Sequence, residues 1–396
     1  MVAKKILGCQ VTGQKMQTNN NYQKYNSFHD LHVSAGRTSP EEQSVRAQNL
    51  LAKYSCINEQ EREVLFLVNE DLRLKKSEKN AFKITPFVAD EMRLIDDKDV
   101  PRYLFHRYRY EIYPQIRKLD DYPPYLQIEP ASVCNYRCIF CYQTDEVFSN
   151  KKSEHMGTMD FELYKQIVDE TVGNIEFLSL ASRGEPLICK DFEKMMNYSV
   201  GKFLNLKVNT NASLLSEKLC HALLCGGAKT VVFSADAAEE PLYSQLRVRG
   251  RLDKVLKNIE RFQKIRQDQY NNLPLITRVS GVLVDELQNM EAMKKLWGDL
   301  VDQISFVKYN PWENVYTSPM SKISEPCSDL WRRMFIWFDG KINPCDTDYK
   351  THLMIGKIKN KSLSDHWKGD VYRKLRESHE NGKRLTLRPC NRCVVV

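Results

Sequence analysis

Short apolar segments alternate with longer segments of helical periodicity through the middle of the chain. The apolar segments have the length and composition of buried parallel strands. They are Tyr125–Glu129, Ile175–Leu180, Leu204–Asn209, Thr230–Ser234, Leu275–Leu283 and Ile304–Tyr309. Between them, apolar residues recur three or four positions apart, which indicates amphipathic helices. These are Phe161–Val172, Phe192–Phe203, Ser216–Cys225, Leu252–Ile265 and Met290–Leu300. The alternation predicts an α/β fold built on a partial (β/α)6 TIM-like barrel.

The pattern changes on both sides of this alternation. Residues 1 to about 45 are polar and predict loosely held chain, whereas Pro40–Arg73 has helical periodicity. The aromatic and basic segment Tyr103–Arg117 predicts a helix that covers the barrel, with a nucleic-acid surface as the alternative. Beyond Trp312 the chain becomes loop-rich. We therefore predict a partly irregular, mainly helical N-terminal region at 1–118, the barrel at 119–312 and a C-terminal domain at 313–396.

Composition narrows the class of protein. The 396 residues are 42% hydrophobic and 28% charged, which is typical of a globular chain long enough for two domains. The excess of 59 basic over 51 acidic residues is mild and dispersed, so no nucleic-acid partner is expected. There is neither an apolar run of roughly 18 residues nor the apolar core of a signal peptide. We expect a cytoplasmic protein with no membrane partner.

The twelve cysteines indicate reduced thiols that bind metal or react, rather than disulfides. Five are scattered and predict ordinary small apolar residues; these are Cys9, Cys56, Cys189, Cys220 and Cys225. The other seven form two groups. The first group is Cys134, Cys138 and Cys141, and the second is Cys327, Cys345, Cys390 and Cys393.

The first group lies on the loop that follows the first predicted strand of the barrel. Cysteine thiolates hold iron–sulfur clusters, and a [4Fe–4S] cube has four irons to ligate. Three local cysteines leave one iron open to another ligand, which indicates reactivity rather than simple electron storage. A zinc site completed by a fourth ligand is the alternative.

The spacing Cys134-x3-Cys138-x-Phe140-Cys141 resembles the signature of the radical S-adenosylmethionine (SAM) superfamily. The resemblance implies that the three cysteines hold a [4Fe–4S] cluster whose open iron chelates SAM, with Phe140 at the cofactor site. Members of the family cleave SAM to methionine and a 5′-deoxyadenosyl radical, which abstracts hydrogen from the substrate. It also implies a reductase partner such as flavodoxin or ferredoxin. The protein positions and shields the reacting groups.

Arg183-Gly184-Glu185-Pro186, just after the second predicted strand, resembles the Gly-Glu-Pro motif of the family. The resemblance implies that Gly184 and Glu185 hold the amino group of SAM. Many members have a second glycine where this chain has Arg183, and this departs from the family pattern.

Two later segments are similar to the remaining cofactor motifs. Val208–Ala212 resembles the segment near the SAM ribose, which implies contacts from Asn209 and Asn211, although either could cap the next helix. Phe233–Asp236 and the stretch after it resemble the region that binds the SAM carboxylate. This implies roles for Ser234 and Arg247, with Arg249 and Arg251 as alternatives.

The second group resembles the SPASM/twitch extension of radical SAM enzymes, and its spacing is similar to that of the 2-deoxy-scyllo-inosamine dehydrogenase type. The resemblance implies that Cys327, Cys345, Cys390 and Cys393 hold one auxiliary [4Fe–4S] cluster that takes an electron from the substrate. A structural zinc site with four cysteine ligands is the alternative.

These patterns predict a radical SAM oxidoreductase that oxidises a hydroxyl-bearing carbon of a small polyol, amino sugar or nucleotide sugar. Barrel enzymes collect catalytic groups at the C-terminal ends of their strands, so the candidate substrate-facing residues are Arg278, Lys308, Tyr309 and Trp312. A second hypothesis is a maturase acting on a peptide or protein, or an epimerase. A third is a non-catalytic zinc-binding interaction protein.

Overall fold

The computed structural model describes residues 32–33, 38–76, 78, 80–284 and 287–396. Its strands are β1 (His32–Val33), β2 (Tyr125–Ile128), β3 (Arg137–Cys138), β4 (Phe177–Leu180), β5 (Asn205–Thr210), β6 (Thr230–Ser234), β7 (Arg247–Val248), β8 (Ile276–Leu283), β9 (Gln303–Lys308), β10 (Arg333–Ile336), β11 (Lys341–Asn343) and β12 (Gly356–Lys357). Its helices are α1 (Pro40–Leu51), α2 (Glu59–Leu74), α3 (Pro86–Arg93), α4 (Val100–Glu111), α5 (Tyr113–Ile116), α6 (Phe161–Thr171), α7 (Phe192–Ser199), α8 (Glu217–Cys225), α9 (Leu242–Leu246), α10 (Leu252–Gln269), α11 (Met290–Gly298), α12 (Leu363–Lys368) and α13 (Asp370–Glu380). Most of the segment predicted to be loosely held, and Cys9, lie outside the described residues.

One sheet runs through the molecule in the order β1-β9-β8-β6-β5-β4-β2-β10-β11-β12. Its six central strands, from β2 to β9, pair in parallel. They are the six predicted strands, and the five predicted helices between them are also present. Because β2 pairs with β10 and β9 with β1, the barrel is open rather than closed. The prediction of a partial (β/α)6 barrel is confirmed.

Local sequence explains where the barrel elements begin and end. Asp160 caps α6 by accepting the N–H of Glu162 at 2.9 Å, as its position predicts. Ser216 caps α8 in the same way, and that helix ends before Gly227, which adopts a φ of +78°. All four residues of β4 are buried, since helices cover both faces of a parallel sheet.

Helices α1 to α5 pack across the N-terminal ends of the barrel strands. Their apolar core includes Val64, Val88 and Tyr103 and reaches Phe177 at the start of β4. The rings of Tyr103 and Phe177 are 5.7 Å apart, edge to face. The predicted covering helix is thus present as α4, and its aromatic rings are buried in packing rather than available to stack on bases.

The C-terminal region joins the same sheet. β10 pairs in parallel with β2, and β11 and β12 follow as antiparallel strands. Trp337 and Trp367 are fully buried there. The predicted boundary at 312/313 stays a prediction, but the sheet itself continues across it. Within the described part of the chain, no helix is long and apolar enough to cross a membrane.

Candidate active site

A cavity of about 350 Å³ lies at the C-terminal ends of the barrel strands. Residues that follow different parallel strands meet at this edge, because the strands all point the same way. The lining residues that the sequence predicted as functional are Cys134, Cys138, Phe140, Cys141, Gly184, Glu185, Asn209, Asn211, Ser234, Arg247, Lys308, Tyr309 and Trp312. Of the residues predicted for this site, Arg278 is the one the fold places elsewhere.

The loop that carries the first cysteine group is fixed to the strand that carries Arg247. β3 pairs antiparallel with β7, with Cys138 opposite Arg247. The N–H of Tyr136 lies 3.4 Å from the sulfur of Cys134. Burial, and then the nearby Glu185, raises the pKa of Cys134 to about 12. Thiolates in such surroundings require a metal cation, so the donor set suits a metal cluster.

Glu185 and Gly184 form the floor beside the cysteines. The carboxylate of Glu185 accepts bonds from the Thr210 hydroxyl at 2.6 Å and the Asn211 N–H at 2.7 Å. It is thereby held at the ends of β4 and β5. A Cβ on Gly184 would come within 2.4 Å of the Val133 carbonyl oxygen, so a larger residue would displace the loop.

Arg247 is paired inside the cavity wall. Its Nε lies 2.5 Å from Oδ2 of Asp236, which follows β6. Burial alone would lower the pKa of Arg247, but Asp236, Cys138 and Tyr243 together raise it above its usual value. Arg251 instead forms an exposed ion pair with Asp253, and neither it nor Arg249 lines the cavity. Of the three candidate arginines, the fold brings Arg247 to the site.

Arg183, the departure from the family pattern, connects the Gly-Glu-Pro loop to the C-terminal region. Its guanidinium forms a bidentate pair with Glu129 at 2.7 and 2.6 Å and donates to the Tyr349 carbonyl at 2.9 Å. It also lies 4.0 Å from the ring centroid of Trp337. Where a second glycine would leave space, this chain has a buried cation that joins the barrel to the segment after β10.

The predicted substrate-facing role of Arg278 is corrected by its position in β8. The side chain is 2% exposed, donates to Oε1 of Gln303 at 2.7 Å and lies over the ring of Phe87. Phe87 belongs to α3, which covers the opposite end of the barrel. Arg278 is the third residue of β8, and only the later residues of that strand reach the cavity. Apolar periodicity alone does not indicate how far along the strand Arg278 lies from the cavity.

Lys308 and Tyr309 do lie in the cavity wall, at the end of β9. The Tyr309 hydroxyl donates to Oε1 of Glu313, and burial raises the pKa of the Glu313 carboxyl. Sequence reasoning missed Glu313. Its position four residues after Tyr309 was the one local sign that the two side chains could meet. It also gave no role to Asp236, the last residue of the Phe233–Asp236 segment, which pairs with Arg247.

The four cysteines of the second group line one small cavity in the C-terminal region. Cys327 precedes the turn Ser328–Trp331, Cys345 follows β11, and Cys390 and Cys393 flank a terminal turn. Arg384 organises that turn by donating to the carbonyls of Glu325, Cys393 and Val395 at 2.7 to 2.9 Å. The fold therefore gathers residues that are up to 66 positions apart in sequence, from Cys327 to Cys393.

An aromatic cluster lies between the two cysteine groups. It consists of Tyr142, Phe148, Val315, Tyr316 and Tyr349, with Cys141 and Cys393 packed against it. The ring centroids of Tyr142 and Tyr349 are 4.9 Å apart, and those of Tyr316 and Tyr349 are 5.0 Å apart. The two groups thus contact the same packed set of rings.

Comparison with known families agrees with this arrangement. The radical SAM superfamily model matches residues 128–290, and the model of an iron–sulfur cluster-binding domain, SPASM, matches residues 327–394. The chain therefore contains a segment that matches the radical SAM superfamily, followed by a segment that matches SPASM. The two matched segments contain the two cysteine groups. The first match implies a [4Fe–4S] cluster that binds SAM, and the second implies auxiliary iron–sulfur clusters.

Curated relatives within this superfamily match parts of the chain. A SAM-dependent 2-deoxy-scyllo-inosamine dehydrogenase of Niallia circulans is 22% identical over 273 residues, which cover 68% of this chain and 91% of that enzyme. A GTP 3′,8-cyclase of Clostridium botulinum is 28% identical over 171 residues, 42% of this chain and 52% of the cyclase. The chain thus spans about half the length of the cyclases it matches.

Solved structures align with much of the chain at low identity. BtrN in complex with AdoMet and 2-DOIA aligns with a TM-score of 0.46 and 16% identity over 68% of this chain and 91% of that one. SuiB of Streptococcus suis bound to S-adenosylmethionine aligns with a TM-score of 0.49 and 15% identity over 87% and 90% of the two chains.

The residues present fit the cofactors that the superfamily implies. The buried polar atoms of cavity-lining residues that have no hydrogen-bond partner among the described residues include Oγ of Ser182, Oδ1 of Asn209 and Nδ2 of Asn310. Buried polar atoms normally have partners, so these suit a polar ligand such as SAM. In the same described part, no three His, Cys, Asp or Glu side chains converge on a single metal ion. A cube does not need this, because each of its thiolates binds a different iron.

Proposed function

We propose that this chain is a radical SAM oxidoreductase that oxidises a hydroxyl-bearing carbon of a small polyol, amino sugar or nucleotide sugar. The main support is the arrangement of two sites. One cavity is lined by the three-cysteine group, by buried polar atoms without partners among the described residues and by Tyr309. The four cysteines of the second group line another cavity, and both groups contact the same aromatic cluster. The similarity to a dehydrogenase over 91% of that enzyme's length supports the same class.

When bound, the SAM-binding cluster would supply the electron that cleaves SAM to methionine and the 5′-deoxyadenosyl radical, and the auxiliary cluster would accept the electron that the substrate later loses. The chain positions these reactants. Glu185, held by Thr210 and Asn211, is placed to accept hydrogen bonds from the SAM amino group. Arg247 is placed to donate to the SAM carboxylate, with Asp236 fixing its guanidinium.

Tyr309 and Glu313 are the residues proposed to take the substrate proton. Loss of a hydrogen atom to the radical gives 5′-deoxyadenosine, and loss of one electron and the hydroxyl proton then gives the carbonyl product. The substrate proton passes to the Tyr309 oxygen. At the same time Tyr309 gives its own hydroxyl proton to Oε1 of Glu313, with which the hydroxyl is already hydrogen-bonded. Lys308 lies next to them and would orient a hydroxyl or phosphate group of the substrate.

The test begins with anaerobic reconstitution, dithionite, SAM and a panel of polyols, amino sugars and nucleotide sugars deuterated at their carbinol carbons. The panel includes 2-deoxy-scyllo-inosamine. The expected result is deuterium in 5′-deoxyadenosine together with one carbonyl product per SAM consumed. SAM cleavage without deuterium transfer from any of these compounds would contradict the proposal. Crosslinking or epimerisation of an added peptide would instead indicate the maturase class.

A matched pair of variants tests the proton path. Tyr309→Phe should retain SAM cleavage and deuterium transfer but lower carbonyl formation at least about tenfold, since a positioned acid–base group contributes roughly 10² to 10⁴ in rate. Tyr270→Phe changes a tyrosine on the outer face of the barrel, which bonds His221, and should leave both reactions unchanged. Equal carbonyl formation in the two variants would remove Tyr309 from the mechanism.

A further inference from the structure

His379 is a buried histidine at the second cysteine group to which neither the sequence motifs nor the proposed mechanism gives a role. It belongs to α13 and is 1% exposed. It lines the same small cavity as Cys327, Cys345, Cys390 and Cys393. A polar ring placed in such a cavity requires a reason, because an unsatisfied buried polar group is costly.

The backbone determines which ring nitrogen of His379 carries the proton. The N–H of Cys327 donates to Nδ1 at 3.2 Å, so Nδ1 acts as the acceptor. A neutral imidazole with Nδ1 as acceptor has its proton on Nε2. Nε2 has no hydrogen-bond partner anywhere in the described part of the chain. The ring therefore presents an unused N–H donor in a cavity of sulfur atoms.

Arg384, a cation that also lines this cavity, already has a backbone acceptor for each of its three nitrogens. Arg384 donates to the carbonyls of Glu325, Cys393 and Val395 at 2.7 to 2.9 Å, and its Nε approaches the Cys390 carbonyl at 3.4 Å. Arg384 shapes the loop that carries two of the cysteines, whereas the Nε2–H of His379 remains available for whatever the thiolates hold.

We propose that His379 donates a hydrogen bond from Nε2 to a sulfur of the auxiliary cluster and thereby raises its reduction potential. Reduction adds negative charge to the cluster, and an N–H dipole directed at sulfur stabilises the reduced form more than the oxidised form. His379 is accordingly a positioning residue that makes the cluster a better electron acceptor. The proposal rests on the auxiliary cluster of the superfamily and not on the proposed substrate.

The test measures the potential of the auxiliary cluster in the full-length chain without substrate. Cys134→Ala/Cys138→Ala/Cys141→Ala removes the other cluster, so that an EPR-monitored titration reports one couple. In this background His379→Phe keeps the ring and removes the donor. We expect about a tenfold lower ratio of reduced to oxidised cluster at any fixed potential, which is ~59 mV for a one-electron couple.

Two further variants separate hydrogen bonding from packing. His379→Gln places an amide N–H near the position of Nε2 and should restore most of the potential. His366→Phe changes a buried histidine of the same region that bonds the Lys357 carbonyl and does not line the cavity, so the potential should not change. An unchanged potential in fully loaded His379→Phe, or an equal shift in His366→Phe, would overturn the proposal.

A measurement on the unsubstituted chain applies even if His379→Phe fails to bind iron. Chain labelled with ¹⁵N-histidine should show a weak ¹⁵N coupling to the reduced auxiliary cluster in pulsed EPR. Absence of any histidine coupling would overturn the hydrogen bond. A strong coupling would do so as well, because it would show direct ligation of iron by Nε2. Since no substrate is used, failure of the dehydrogenase proposal would leave these results unaffected.

Discussion

The two ends of the barrel bury similar side chains for different purposes. At the C-terminal end, Arg247 pairs with Asp236 in the wall of a cavity where polar atoms of Ser182, Asn209 and Asn310 have no partner among the described residues. At the N-terminal end, Arg278 bonds Gln303 and lies over the ring of Phe87 in α3. A buried arginine in a barrel strand therefore indicates function only when its position along the strand is known.

The largest expected effect lies at the cavity end. Cys134→Ala should reduce SAM cleavage under strongly reducing conditions to background, because the cube loses one of only three protein ligands. The readout is 5′-deoxyadenosine formed in anaerobic assays, with iron content measured on the same sample. Cys220→Ala, which changes a buried core cysteine of α8, should retain both. SAM cleavage that survives the first substitution would show that this loop does not bind the cluster.

Substitutions in the second cysteine group should separate SAM cleavage from formation of the carbonyl product. Cys390→Ala/Cys393→Ala is expected to lower the iron content from about eight to about four per chain, the content of two cubes and of one. SAM cleavage should persist, whereas carbonyl product should fall below detection because the substrate electron has no acceptor. Normal product formation by this variant would mean that the auxiliary cluster is not required for turnover.

At the covered end, substitution should affect stability and leave chemistry intact. Arg278→Met removes a buried guanidinium whose bond partner is Gln303. Leaving that amide oxygen buried without its partner should cost about 1–3 kcal/mol in the free energy of unfolding. Urea unfolding measures the loss, and SAM cleavage per loaded chain should match that of the unsubstituted protein. A large fall in SAM cleavage by protein with its full iron content would show that Arg278 has a role in the active site.

A smaller effect is expected from His106, another buried group of the covered end. Burial, and then Arg109, whose Nη1 lies 2.9 Å from Nδ1, lowers the pKa of His106 well below its usual value. Below about pH 6.5 the unfolded chain therefore binds a proton that the folded chain does not, so stability falls as pH falls, by at most about 1.4 kcal/mol per unit.

The check on His106 is the slope of stability against pH between 7.5 and 5.5. His106→Asn keeps an acceptor near Nδ1 but does not titrate in this range, so its slope should be shallower. His221→Asn, a substitution of a partly buried histidine that bonds the Tyr270 hydroxyl, should keep the original slope. Equal slopes for His106→Asn and the unsubstituted chain would show that His106 takes up a proton in the folded state.

The sequence predicts the fold well because parallel strands are buried on both faces. Segments such as Thr230–Ser234 then have an apolar centre, and the strand observed there has the predicted bounds. The cysteine loop and the Gly-Glu-Pro segment are also local patterns, and both line the predicted cavity. Residues identified by local motifs were brought together as expected.

Contacts between distant segments could not be predicted in this way. Arg278 was assigned to the wrong end because apolar periodicity fixes a strand but not the depth of one residue within it. The bidentate pair of Arg183 with Glu129 joins residues 54 positions apart. His379 meets Cys327 across 52 positions, and no local signature marks that contact. Such contacts depend on the tertiary fold and leave no pattern among neighbouring residues in the sequence.

The parallel pairing of β10 with β2 has a mechanical consequence. The first cysteine loop follows β2, while β10 and β11 connect two cysteines of the second group, Cys327 and Cys345. Both metal-binding loops are therefore carried by neighbouring strands of a single hydrogen-bonded sheet. We therefore expect the tunnelling distance between the two redox sites to be set when the sheet forms rather than by domain closure around a substrate.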